Sequence, residues 1–204
     1  MRDDPRLESW LRGVVSTPGL TALTDLDEAR HVLLAEALAG RELVEQGPLV
    51  DVGSGGGSPG IPLAAALPNV EVVLLESNGR KCAFLRTQAA LFTNVSVVCL
   101  RAEEHARGAG RDAYGTAVAQ ALAPPAVALE WCLPLVSVGG RAVLYTGDPG
   151  QGLDRVADLL GGGVPRAQSV PGSERRHLVV VEKLMPTPDE FPRRPGVARK
   201  RPLA

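Results

Sequence analysis

From about residue 48 to residue 184 the chain alternates short apolar runs with segments whose apolar residues recur at helical spacing. PLVDVG reads as a buried strand entering a glycine loop, and IPLAAAL as a short helix closed by Pro68. VEVVLLE is a second strand and GRKCAFLRTQAALF a second helix; VSVVCL is a third strand, followed by the helical RAEEHAR. Tyr114 to Gln120 forms an Ala-rich fourth strand, and PPAVALEWCLPLV a helix that Pro124 and Pro125 can start. RAVLYTG is a fifth strand and GLDRVADLL a helix stopped by Gly161, Gly162 and Gly163. The chain then changes habit. Ala167 to Val170 and RRHLVVVEK, joined by the turn-forming PGS, read as an antiparallel hairpin.

The flanks differ from this middle zone. Residues 1–46 are mixed and polar, with one amphipathic segment, DLDEARHVLLAEALAGREL. Asp25 or Asp27 can cap it, and Leu33, Leu34, Leu38 and Leu43 fall at helical spacing. Residues 186–204 are punctuated by proline and carry Arg193, Arg194, Arg199, Lys200 and Arg201, so little regular structure is expected there. The organisation predicted is a short helical extension over 1–46, one α/β domain over 47–185, and a basic, Pro-rich tail over 186–204. No internal repeat interrupts it.

Composition narrows the class. Hydrophobic residues make up 45% and charged ones 22%, which argues against disorder; aromatics are only 3%, so Val, Leu and Ala must fill the core of a parallel sheet. No apolar run is long enough to cross a bilayer and MRDDPRLESW is unlike a signal peptide, so a cytoplasmic protein without membrane contact is expected. The three cysteines, Cys82, Cys99 and Cys132, are widely spaced and suggest neither a disulfide framework nor a zinc site, but buried small hydrophobes in a reducing compartment. His31, His105 and His177 show no metal spacing, and Trp10 and Trp131 are expected to pack rather than to stack on bases.

The stretch LVDVGSGGGSPGIP holds the chemistry. At the carboxyl end of a parallel strand, glycines let the backbone turn sharply and let a ligand rest directly against it. Gly53, Gly55 and Gly57 form G-x-G-x-G behind Asp51, while Gly55, Gly57 and Gly60 also fit the dinucleotide pattern G-x-G-x-x-G. Asp51 favours S-adenosylmethionine (SAM), since it can orient the turn or meet a cationic methionine, whereas a pyrophosphate would be repelled. Glu76 ends the second strand, where its carboxylate can accept ribose hydroxyls. That acid fits a nicotinamide cofactor as well. Arg101-Ala102-Glu103-Glu104, at the end of the third strand, borders the adenine position in such folds, or simply caps a helix with acids that its dipole favours. Ala119, Gln120 and Ala121 close the fourth side. A parallel βαβ series finished by a hairpin is the arrangement of Rossmann-like class I SAM-dependent methyltransferases, an α/β fold with a mostly parallel sheet.

Several of these stretches resemble one family. LVDVGSGGGSPGIPLA, LLESNGRKCAFL, NVSVVCLRAEE, SERRHLVVVEK and PTPDEFPRRPGVARKRPL are similar to the bacterial 16S ribosomal RNA guanine-N7 methyltransferases, also called the glucose-inhibited division protein B family. The resemblance covers about residues 48–203. It implies transfer of methyl from SAM to N7 of one guanine in 16S ribosomal RNA, with the small ribosomal subunit as partner, no metal, and a monomeric enzyme. Cofactor contacts then fall on Gly53, Ser58, Ala102 and Glu103. Where the family has arginine in a fourth-strand S-R-A motif, this chain has Gln120, expected to position base or cofactor. Thr146 stands where a lysine is common, and in the H-x-x-D-S stretch Leu34 and Ala35 replace the acid and the hydroxyl. Arg176, beside Arg175, and the tail residues Arg193, Arg194, Arg199, Lys200 and Arg201 are expected to neutralise RNA phosphates. Methylation of another RNA or a small molecule, or SAM binding without catalysis by an interaction protein, are the alternatives.

Overall fold

The computed structural model describes residues 4–148, 150–171, 173 and 176–204. Among them the sheet has seven strands in the order β3-β2-β1-β4-β5-β7-β6, and only β7 runs against its neighbours. The strands are β1 (Leu49–Val52), β2 (Val72–Glu76), β3 (Val95–Cys99), β4 (Tyr114–Gln120), β5 (Val136–Thr146), β6 (Arg166–Ser169) and β7 (His177–Glu182). β1 and β4 are adjacent and parallel, with Asp51 opposite Val118. Chain order runs outward from this pair in both directions, so the crevice at their carboxyl ends is the topological switch point of the sheet. The glycine loop leaves β1 into that crevice, and Gln120 ends β4 beside it.

The strand residues alternate between two apolar cores because successive side chains leave opposite faces of a strand. Val50, Val52 and Leu75 meet α7 (Pro125–Cys132) and α8 (Leu153–Leu159) on one face. Leu49, Leu74, Val118 and Val143 meet α4 (Gly60–Ala66) and α1 (Pro5–Ser16) on the other. α5 (Gly79–Ala89) packs on the second face through Leu85, and α6 (Ala102–His105) on the first through Ala102. The amphipathic segment starts as expected at Asp25, whose side chain caps α2 (Leu26–Ala29); it continues through a wider, π-helical turn over Arg30–Ala35 into α3 (Glu36–Leu38). No described helix is long and apolar enough to cross a membrane, and the described residues hold no cluster of metal-ligating groups.

Three features were not read from the sequence. The first helix, α1, lies within the helical extension expected over 1–46 but was not delimited there. Asp4 caps it, Pro5 starts it, and Leu7, Trp10, Leu11 and Val14 bury one face against the sheet. The tail has little regular structure, as expected, beyond the four-residue α9 (Val197–Lys200), but it is docked on the domain through Arg193 and Gly196 instead of standing free. Finally, Cys82 and Cys99 are joined rather than separate. Pairing of β2 with β3 puts Cys99 opposite Glu76, and Cys82 lies one turn into the helix that follows Glu76. Sequence spacing could not show that neighbourhood, because strand pairing creates it. Cys132 is free and buried, as expected, and burial pushes its thiol pKa up. The hairpin forms between β6 and β7, but Gly172 of its turn and Arg175 lie outside the described residues.

Candidate functional site

The loop after β1 is held from below. Gly53 and Ser54 donate to the carbonyl of Leu75 at 2.7 and 3.1 Å, and the Ser54 hydroxyl donates to the carbonyl of Asp51 at 2.8 Å. Gly53 sits at φ +71°, in the left-handed region, and a Cβ there would run into Leu122. With its glycines in place, the loop lies open between two cavities, and Gly53 lines both.

The larger cavity, about 410 Å³, is bounded by the loop residues Gly53 to Gly56 and Ser58, by Gln120 and Ala121 at the end of β4, and by Lys81 in the first turn of α5. Its outer wall comes from the N-terminal segment, through Trp10, Val14, Leu20 to Leu23, Val32 and Leu33. Trp10 is fully buried and its indole N–H donates to the carbonyl of Gly56 at 2.7 Å, so α1 is fastened to the loop itself. The Ser58 hydroxyl lies 2.9 Å from the carbonyl of Leu33 and 2.8 Å from Oε1 of Gln120. Ser58 therefore joins the N-terminal wall to the β4 end. Arg176 reaches the same cavity and is ion-paired at 3.3 Å with Glu36, a buried carboxylate of α3.

The smaller cavity, about 300 Å³, is lined by Val52, Gly53, Leu75, Ser77, Leu100 to Glu103, Leu122 and Trp131, with Gly196 and Arg199 from the tail. Trp131 packs, as expected, in the core of α7, but it also borders this cavity; its buried indole N–H has no acceptor among the described residues. Glu76 lies under the loop. Its Oε2 accepts from Gly55 at 3.0 Å, and its Oε1 accepts from Ser77 and Asn78 at 2.8 Å each. These three donors hold the carboxylate in place and still leave Oε2 a lone pair.

Three residues expected at the cofactor line neither cavity: Glu76, which lies under the loop, Asp51 and Gly57. Asp51 is 1% exposed and borders neither cavity; its Oδ2 accepts from the backbone of Gly60 at 3.0 Å at the start of α4. Of its two expected roles, it orients the turn. A Cβ at Gly60 would strike that carboxylate and Leu74, which explains glycine there. Removal from water pushes the Asp51 pKa up to about 7, against the opposing hydrogen bond from Gly60. Gly57 turns inward at φ +104°, where a Cβ would meet Ile61 and Trp10, so it packs the loop rather than lining a cavity.

The basic tail is also redistributed. Arg193 is held by Glu130, with Nε 2.8 Å from Oε1 and its own backbone N–H 3.1 Å from the same oxygen. Glu130 is 1% exposed, so Arg193 neutralises a buried charge instead of facing a nucleic acid. Arg199 lies over the Trp131 ring, 5.4 Å from its centroid. Arg194, Lys200 and Arg201 stay exposed. Thr146, at the position where a lysine was expected, gives its hydroxyl to the carbonyl of Asp148 at 2.6 Å. Sequence reasoning missed Thr21, Ser77, Lys81 and the two tryptophans as cavity residues. Ser77 and Lys81 could have been found, since they follow Glu76 at the crevice end of β2; nothing local marks the others.

Comparison with known proteins agrees with this geometry. The family model described as rRNA small subunit methyltransferase G matches residues 8–152. A "Ribosomal RNA small subunit methyltransferase G" from Rubrobacter xylanophilus is 43% identical over 85% of this chain and 72% of its own length. One of the same name from Moorella thermoacetica is 39% identical over 90% of this chain and 82% of its own. Among solved structures, an O-methyltransferase of neocarzinostatin biosynthesis in complex with SAM superposes with a TM-score of 0.60 at 19% identity, over 78% of this chain and 56% of that one. A T. thermophilus 16S rRNA N2 G1207 methyltransferase in complex with AdoMet and guanosine gives 0.52 at 20% identity, over 76% and 40%. At such identities the structural likeness establishes the class I methyltransferase fold alone.

Proposed function

The chain belongs to the rRNA small subunit methyltransferase G family, and on that premise we propose that it transfers a methyl group from SAM to N7 of a guanine in 16S ribosomal RNA. The two cavities meeting at Gly53 suit an extended cofactor. Its adenosine would lie along Leu75, Ser77, Ala102 and Glu103, with the ribose near the free lone pair of Glu76, and its methionine along Gly53, Gly55 and Ser58. When bound, SAM supplies a methyl on a sulfonium, and the electron pair of the broken S–C bond returns to sulfur.

One observation carries the choice of acceptor atom. Among the described residues lining the larger cavity there is neither a carboxylate nor an imidazole. An acceptor that must lose a proton before attack is most often served by such a base. N7 of guanine already presents a lone pair, so the residues need only align it with the methyl, about 3 Å away. Gln120 is the positioning residue in this reading: its side-chain amide is held at 2.8 Å beside the Ser58 hydroxyl, and the rest of the amide is left to meet the base or the cofactor. Lys81 and Arg176 supply positive charge for the nucleotide's phosphates, joined outside by the exposed Arg194, Lys200 and Arg201.

The test is transfer of radiolabel from SAM to unmodified 30S particles and to naked 16S RNA, followed by nucleoside digestion. We expect label in 7-methylguanosine. Label in another nucleoside, or tight SAM binding with no transfer to either substrate, would replace this reading with one of the two alternatives.

A further inference from the structure

The smaller cavity has one wall that the sheet does not supply. Beyond β7 the chain crosses back over α6 and α7, held by guanidinium groups. Arg107 donates to the carbonyl of Pro192 at 3.0 and 2.7 Å, Arg111 donates to Phe191 at 2.5 Å and to Thr187, and Arg193 is fixed on Glu130. Gly196, at φ +81°, then turns the chain, and its N–H donates to Oε1 of Glu103 at 3.0 Å. Glu103 itself lines the cavity. The turn delivers Arg199, whose guanidinium reaches the carbonyl of Leu122 at 3.3 Å and covers the face of Trp131. Leu122 and Trp131 are both cavity residues.

Resting on the reading that this cavity takes the adenosine half of SAM, we infer that the C-terminal tail is the adenine-side wall of the cofactor site, with Arg199 as its positioning residue. A planar cation seated on one aromatic ring beside an open cavity can take a second π face, and adenine offers one. Arg199 then works on the cofactor and not on RNA. Because tail and cofactor share Glu103, Leu122 and Trp131, whatever the docked tail does for cofactor affinity the cofactor does equally for docking of the tail, as linkage requires.

The experiment is calorimetric titration of the full chain with SAM, S-adenosylhomocysteine and 5′-methylthioadenosine. It compares wild type, Arg199→Ala, Arg199→Lys, and Arg166→Ala, a substitution on the exposed edge strand, as control. Thermal melts confirm that each variant is folded, and Arg199→Lys serves should the alanine variant be unstable. We expect Arg199→Ala to weaken all three ligands by a similar factor, about five- to tenfold, since all three share the adenine. Arg199→Lys should recover only part of this, having charge without the plane, and Arg166→Ala should match wild type. In turnover, KM for SAM should rise while kcat and KM for the 30S particle hold. Wild-type affinity in Arg199→Ala and Arg199→Lys, or a defect confined to KM for the particle, overturns the inference and leaves the cofactor reading standing. Failure of wild type to bind any of the three overturns both.

Discussion

The two ends of the chain do the same job by different physics. The N-terminal segment walls the larger cavity and the C-terminal tail walls the smaller one, and Gly53 lies where the two meet. The first wall is held by burial. Leu7, Trp10, Leu11 and Val14 are at most 3% exposed, and each removes about 1.5–3 kcal/mol worth of apolar surface from water. The second is held by ions and carbonyls: Arg193 on Glu130, Arg107 and Arg111 on tail oxygens, Gly196 on Glu103. Apolar burial is non-directional and tolerates small shifts, whereas an ion pair with a buried partner is lost whole when one member goes. The wall of the larger cavity is therefore part of the core, and the wall of the smaller one is a strap.

That contrast can be broken most forcefully at Trp10. Trp10→Ala deletes a fully buried indole and its bond to Gly56, and should destabilise the whole fold by about 3–5 kcal/mol in urea unfolding. A loss below 1 kcal/mol would mean that α1 is not part of the core. Arg193→Ala should have a smaller and more local effect. It strands the buried Glu130 carboxylate at a cost of about 2 kcal/mol, moderated because Arg193 is partly exposed, and frees the tail for tryptic cleavage after Arg199 and Lys200. Wild-type resistance to trypsin in that variant would contradict a strap fixed by this pair.

The smallest effect separates both walls from the floor they share. Asp51 touches neither, and its pKa is raised by burial from 3.8 to about 7. Between those values the folded chain holds a proton that the unfolded chain has released. Its contribution is thus present at low pH and lost as pH rises through about 7. Urea midpoints at about pH 5 and about pH 8 should fall more in wild type than in Asp51→Asn, which can still accept from Gly60. Parallel pH dependence in the two proteins would show that Asp51 is ionised throughout.

Much of the cofactor side was legible. Val-, Leu- and Ala-rich runs identified β1 to β5 because parallel strands are covered on both faces, and Gly53 and Glu76 declared the loop and the acid under it. α1 carried its signal in the spacing of Leu7, Trp10, Leu11 and Val14, but among so many polar neighbours that spacing does not say where the apolar face goes. Asp51 and Gly57 stood in the right motif, yet only the packing of α4 and Trp10 showed that they face inward. The tail misled most. Prolines and arginines read as an exposed arm, because the partners that hold it, Glu130 and Glu103, lie 63 and 93 residues away.

The sequence by itself determined the alternating elements, the glycine turn at the end of β1 and the family, since each depends on residues close together in the chain. Which arginines stay exposed, which meet Glu130 and Trp131, and which cysteines join were decided by the tertiary structure alone. The reason is that a charge or a thiol acts on whatever lies within a few ångströms, and for those groups the fold, through strand pairing and the return of the tail, chooses the neighbour.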